Sequence, residues 1–198
     1  MTGKTPGQRR QGRPEPPRRS HRTALVVVPP PELWPSIQTI RCEHDPLCRR
    51  WMPHITLVYP YRAPAELPAL APRLAAVCGH IPPFEIMLRR FGSFRGKGDR
   101  HLIWLAPEPA ASLAELHQTL AAVTPEYLEP DPHAAEFMPH LTVGRVGGWA
   151  NAKRELAVHQ AHWLPLTFRV DAVHLLARGD SSQDAFQVEH TIPLGGLA

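Results

Sequence analysis

The chain predicts an α+β fold of two pseudo-symmetric lobes, each an antiparallel sheet backed by helices. Three observations carry this expectation. Strand-like runs and helical periodicities are interleaved along the 198 residues rather than segregated. One hexapeptide pattern occurs twice, as Met52-Pro53-His54-Ile55-Thr56-Leu57 and as Met138-Pro139-His140-Leu141-Thr142-Val143. Each copy lies in an apolar, β-branched run and follows a predicted helix by a loop, so the chain reads as two related halves in one compact body.

Taken in order, Ala24-Leu25-Val26-Val27-Val28 is a first buried strand, stopped by Pro29-Pro30-Pro31. A helix is expected between Glu32 and Arg41, with Pro35 limiting it to starting there. Residues 54–59 form the first motif strand. Ala65 to Cys78 reads helical, with Leu67, Leu70, Leu74 and Val77 at helical spacing. Phe84–Phe91 and His101–Leu105 read as paired strands around a Gly-Lys-Gly-Asp turn. Ser112 to Val123 is helical, with Leu113, Leu116 and Leu120 on one stripe. Residues 140–146 form the second motif strand, and Asn151 is expected to cap a helix through Val158. Leu166–Ala177 and Ala185–Thr191 close the chain as strands.

The repeated pattern carries chemistry. Residues two apart on a strand share a face, so each copy offers an imidazole beside a hydroxyl, His54 with Thr56 and His140 with Thr142. Two imidazoles with ordinary pKa values near ~6.5 can act as one neutral base and one charged acid. Phosphodiester cleavage needs that pair: a base for the nucleophile and an acid for the leaving alkoxide. The threonine hydroxyls suit the non-bridging oxygens, where negative charge must be held. No metal is required. A single histidine on an apolar strand is usually a packed core residue, but a duplicated His-x-Thr is not an accident of composition.

The net charge of +4 is unevenly spread. Lys4, Arg9, Arg10, Arg13, Arg18, Arg19 and Arg22 face only Glu15 in the first 22 residues, so the remainder is slightly negative. The body is therefore no basic nucleic-acid clamp. Residues 1–21 are rich in Pro, Gly and Arg and poor in apolar residues, which reads as a disordered basic tail ahead of a domain over 22–198. Such an arm would contact RNA phosphates without sequence preference, or simply solubilise the chain. There is no signal-peptide core and no run of eighteen apolar residues, so a soluble, cytoplasmic monomer without membrane contact is expected. Three cysteines, Cys42, Cys48 and Cys78, argue for reduced thiols. Cys42-x-His44 with Cys48 matches no standard zinc spacing, and the expectation is no metal and no cofactor.

The motifs resemble the 2H phosphoesterase superfamily, in the branch of 2′-5′ RNA ligases and cyclic nucleotide phosphodiesterases. The resemblance rests on His54-Ile55-Thr56-Leu57, on His140-Leu141-Thr142-Val143 with Gly144-Arg145 after it, and on Phe91-Gly92-Ser93-Phe94 with Ile103-Trp104-Leu105. It spans about residues 22–194. It implies two motif strands facing each other across a central cleft. It also implies hydrolysis of 2′,3′-cyclic phosphates by water, with P–O3′ cleavage leaving a 2′-phosphate. On that basis His140 is the base toward water and His54 the acid toward O3′; the residues themselves do not distinguish the roles. Run in reverse, the same groups would give a weak, ATP-independent 2′-5′ ligation. No Lys-x-Asp-Gly motif or P-loop surrounds Lys4, Lys97 or Lys153.

Further candidates are set by position. Arg145 lies five residues after His140, so a regular strand turns it to the opposite face, unless Gly144 makes a bulge that re-aims it toward phosphate. Tyr59 has the same parity relative to His54 and is expected at the core or an edge. Phe94 is a candidate for stacking on a base. Trp104, between Ile103 and Leu105, reads as a core residue and Trp51 as packing, while Arg95, Lys97 and Arg100 read as a solvated turn. The substrate class stays open between an RNA with a 2′,3′-cyclic phosphate end and a small molecule: a cyclic nucleotide, an ADP-ribose cyclic phosphate or a 2′-5′ oligoadenylate. A non-catalytic RNA-binding module is the remaining alternative; two intact His-x-Thr sets speak against it.

Overall fold

The computed structural model describes residues 19–124 and 137–195. The first strand, β1 (Thr23–Val27), is buried at every position, as its unbroken apolar sequence demands. Helix α1 (Trp34–His44) follows a short 3-10 turn, with Pro35 in its first turn where no hydrogen bond is lost. The first motif forms β2 (Ile55–Val58), and α2 (Leu67–Cys78) buries Leu67, Leu70, Leu74 and Cys78. Strands β3 (Phe84–Arg95) and β4 (Arg100–Glu108) make a long hairpin. Its turn places Gly98 at φ +65°, a conformation that favours glycine. Helix α3 (Ala110–Ala121) precedes the second motif strand, β5 (Leu141–Gly147), and α4 (Trp149–His162) follows it. The chain ends in β6 (Leu166–Val170), β7 (Ala172–Ala177) and β8 (Gln187–Pro193).

The eight strands of the described residues join one antiparallel sheet in the order β6-β3-β4-β5-β2-β1-β7-β8. It divides into two halves of four, β5-β4-β3-β6 and β2-β1-β7-β8, and the two motif strands meet at the seam. One register pair joins them there, Ile55 with Leu141. Helices α1 and α4 pack behind β5, β4 and β3, and α2 packs behind β7 and β8. Helix α3 lies behind the seam, on β2 and β4. The main core fills the space between sheet and helices, from Leu25, Ile55 and Leu141 to Leu74, Leu113 and Ile37. A smaller cluster of Ala24, Val26, Leu176 and Phe186 covers the other face of β1, with Trp51 and Met52 packed against it.

Three expectations change. Leu166–Ala177 is two strands rather than one: β6 pairs with β3 in one half and β7 with β1 in the other, with Asp171 between them. Asn151 does not cap α4. Gly148 holds the cap position, and Asn151 donates instead from inside the first turn to the Gly147 carbonyl, at 2.8 Å. Ser20, placed in the tail from composition, exchanges backbone hydrogen bonds with Tyr61. The expectation of disorder over 1–21 otherwise falls on residues 1–18, which lie outside the described residues. No helix among the described residues is long and apolar enough to cross a membrane.

Candidate active site

Burial alternates along both motif strands. Ile55 and Leu57 point into the core from β2, as Leu141 and Val143 do from β5. His54, Thr56, His140 and Thr142 therefore share the opposite face. Facing residues of an antiparallel pair point to the same side. With Ile55 opposite Leu141, His54 comes level with Thr142, and His140 level with Thr56. Each imidazole thus has a hydroxyl from its own motif two residues away and the other motif's hydroxyl across the seam.

The two rings are held alike. His54 Nδ1 lies 2.7 Å from the Met52 carbonyl, and His140 Nδ1 lies 2.9 Å from the Met138 carbonyl. A carbonyl only accepts, so each Nδ1 carries the proton and donates it. Each Nε2 is left as the group that can take up or release a proton.

Their electrostatics differ. Burial, then the nearby Arg41 guanidinium and His140, push the His54 pKa down from 6.5 to about 4, against the Met52 carbonyl and Asp45, which raise it. Burial also lowers His140, opposed by the Met138 carbonyl. Both imidazoles are therefore neutral at pH 7, and a bound phosphate anion would favour their protonated forms.

Arg41, on the last turn of α1, and Asp45, the residue that follows the helix, are absent from the candidates read off the sequence. They form a buried ion pair, Arg41 Nη2 to Asp45 Oδ2 at 3.0 Å, with side chains only 2 % and 4 % exposed. Arg41 Nη1 also donates to the Trp51 carbonyl at 2.9 Å and to Gln38 Oε1 at 3.1 Å, while Asp45 Oδ1 accepts from the Leu47 amide. Both residues line the cleft with His54, Thr56, Thr142, Trp51 and Tyr59. Arg41-x-x-x-Asp45 is an i,i+4 pair readable from sequence, but such pairs are usually solvated.

Arg145 lines the same cleft. The β4–β5 register pairs Ile103 with Gly144 and Trp104 with Thr142, leaving Val143 as the extra residue of a bulge. Val143 and Gly144 are both buried in succession, so Arg145 returns to the face of Thr142. It is exposed and has no carboxylate partner among the described residues. Strand β2 does the same thing. Leu25 pairs with Val58 and Val26 with Thr56, which leaves Leu57 as the extra residue. Tyr59, expected at the core or an edge, is instead 43 % exposed and lines the cleft, as the counterpart of Arg145 in the first motif.

Aromatic rings flank both histidines. Trp51 stacks on His54, with ring centroids 4.7 Å apart and planes 22° from parallel, and on its other side stacks on Phe186. Phe94 sits edge-on to His140 at 5.0 Å. Trp104 is not in the core. It pairs opposite Thr142 on the cleft face, 6.2 Å from His140, and lies over Gly92, where a side chain would collide with its ring. Arg95, Lys97 and Arg100 are exposed around the hairpin turn, as expected.

Two matched His-x-Thr strands thus meet at the seam of one antiparallel sheet. The chain belongs to the 2′-5′ RNA ligase superfamily, whose profile it matches over residues 29–182. Among curated relatives it is 28 % identical to GK0864 of Geobacillus kaustophilus, a protein provisionally named a phosphoesterase, over 87 % of this chain and 95 % of that one. Among solved structures it resembles TT0787 of Thermus thermophilus, at TM-score 0.61 and 20 % identity over 88 % of this chain and 98 % of the other. It also resembles E. coli LigT complexed with 3′-AMP, at TM-score 0.62 and 18 % identity with the same coverage. These likenesses speak to the fold.

Proposed function

We propose that the chain is a 2′,3′-cyclic phosphodiesterase that converts cyclic phosphate ends of RNA to 2′-phosphates by acid/base catalysis between His54 and His140. The observation that carries this is the matched tethering of the two rings: each Nδ1 is committed to a backbone carbonyl, which frees each Nε2. A cyclic phosphate seated between them would have Thr56, Thr142 and Arg145 as donors to its non-bridging oxygens. One Nε2 takes the proton of an attacking water as the new P–O bond forms. The other gives its proton to O3′ as the P–O3′ bond breaks, so one water is consumed and no cofactor turns over. Phe94 is the proposed platform for the adjoining base. The complex of the E. coli fold relative with 3′-AMP supports a nucleotide ligand. Small cyclic nucleotides would use the same groups.

Family resemblance makes His140 the base and His54 the acid. One observation favours the reverse: His54 is held down to about 4, so it is the more firmly neutral ring. A substrate with a p-nitrophenolate leaving group, which needs no proton, separates the two. It should restore the activity lost on replacing the acid but not that lost on replacing the base.

The direct test incubates the full chain in EDTA with a 2′,3′-cyclic-phosphate-ended oligonucleotide and with 2′,3′-cyclic mononucleotides, and locates the product phosphate by ³¹P NMR. Turnover of the oligonucleotide to a 2′-phosphate is the expected result. A 3′-phosphate, or turnover that needs an added divalent cation, would overturn the reading.

A further inference from the structure

Helices α1 and α4 meet on the helix-covered side of β5, away from the cleft. There His44, the last residue of α1, faces Glu155 and His159 of α4. The Nε2 atoms of His44 and His159 lie 3.6 and 3.7 Å from the same oxygen, Glu155 Oε2. All three donor atoms fall within 4.8 Å of one another. These separations are too long for hydrogen bonds, and His159 Nε2 is buried with no hydrogen-bond partner among the described residues. They approach the edge of a tetrahedron of donors, about 3.3 Å for metal–ligand bonds of ~2.0–2.1 Å.

We propose that His44, Glu155 and His159 bind a divalent transition-metal ion of the zinc type. Two imidazoles and one carboxylate suit zinc and its neighbours, whereas calcium and magnesium prefer all-oxygen shells. Glu155 and His159 stand one helical turn apart and so project together. His44 is brought to them only by tertiary packing, which is why cysteine and histidine spacing in the sequence reveals no ligand set. Water or Glu43, whose Oε2 is 3.7 Å from His44 Nε2, can supply the fourth position.

The site is a clamp and not a reaction centre. It ties the last turn of α1 to α4 directly behind the β5 bulge. Gly144 in that bulge makes room for it, since a Cβ there would stand 2.6 Å from His44 Cβ. Arg41 of the same turn and Asp45 just after it line the cleft. Bound metal therefore stiffens the helix turn that borders His54 without touching the substrate.

The experiment uses the tag-free full chain, stripped with chelator and titrated with zinc chloride by calorimetry, with metal content measured by mass spectrometry. One zinc per chain and a rise in melting temperature are expected. His159→Gln and the isosteric Glu155→Gln should each weaken zinc binding at least about tenfold, since even outer-shell losses cost about 10–100-fold. The Cys42→Ser, Cys48→Ser double variant should bind as the parent does. Absence of stoichiometric zinc, binding unchanged in Glu155→Gln, or binding lost only in the cysteine variant would each overturn the proposal. In those cases the cluster is a set of ion pairs.

Discussion

Ile55 lies directly opposite Leu141, and this is the one register pair between β2 and β5. Both side chains are fully buried, which fixes the level of the polar residues on either side. Slipping one strand by one residue would send its histidine and threonine into the core. The geometry of the proposed reaction is thus specified by two apolar residues that take no part in it.

Replacing either histidine should nearly abolish turnover. Acid/base groups contribute about 10²–10⁴-fold each, so His54→Ala and His140→Ala should lose that much, measured as kcat on a cyclic mononucleotide. Thr56→Ala and Thr142→Ala should lose less, as a single hydroxyl hydrogen bond does. A loss below roughly tenfold for either histidine would sink the paired assignment.

The pH dependence has a definite sign. The reactive free enzyme holds one proton across the two rings, and its population peaks between their macroscopic pKa values. Both values lie below 6.5, with His54 at about 4. The maximum of kcat/KM should therefore fall on the acid side of pH 6.5. Stability follows the same shifts: the unfolded histidines bind protons that the folded ones refuse. Melting temperature should accordingly fall as pH drops from 6.5 toward 4, with the loss complete below the folded value. A kcat/KM maximum above neutrality would contradict the burial of these rings.

Asp45→Asn should cost stability and move the pH profile together. It leaves the buried Arg41 guanidinium uncompensated, a loss of about 3–5 kcal/mol for a buried pair. Asp45 also raises the His54 pKa, so its removal should shift the acid limb to lower pH. Denaturant melts and kcat/KM against pH read the two effects separately.

Arg145→Ala should raise KM more than it lowers kcat if the guanidinium holds the phosphate before reaction, and Arg145→Lys should recover part of that loss. Gly144→Ala tests the bulge itself. The new methyl group meets His44 Cβ, so overpacking should destabilise by about 1–3 kcal/mol. An Arg145→Ala enzyme with unchanged KM and kcat would remove that residue from the site.

Deleting residues 1–18 removes Lys4, Arg9, Arg10, Arg13 and Arg18 against Glu15. Cyclic mononucleotide hydrolysis should be unchanged, because the proposed catalytic groups all lie in the body. Affinity for long RNA should fall and its salt dependence flatten, by at most about 0.7 in log–log slope per lost phosphate contact. An unchanged slope would reduce the segment to a passive extension.

What is readable from the chain is local. Strand parity alone puts His54 beside Thr56 and His140 beside Thr142, and leucine spacing places α2 and α3. Gly144 hints at the β5 bulge, but nothing hints at its twin at Leu57, because a bulge belongs to the pairing of two strands and Leu57 gives no local sign of one. Trp104 misleads for a related reason: flanking Ile103 and Leu105 suggest a core, yet alternation on β4 turns the residue between two buried neighbours toward the cleft. The burial of the Arg41–Asp45 pair and the meeting of His44 with Glu155 and His159 depend on which helix packs where. No residue count along the chain reports that.

The stacking of Trp51 on His54 gives the site its own gauge. Indole emission is quenched by an imidazolium lying on its face far more than by a neutral imidazole, and these two rings are 4.7 Å apart. The light from one tryptophan should therefore follow the proton on one histidine, with Trp51→Phe isolating its signal from that of the remaining tryptophans. Brightness lost on adding a phosphate ester at neutral pH would be the optical trace of a proton arriving with the ligand. The same intensity, followed in time, would reveal when that proton leaves.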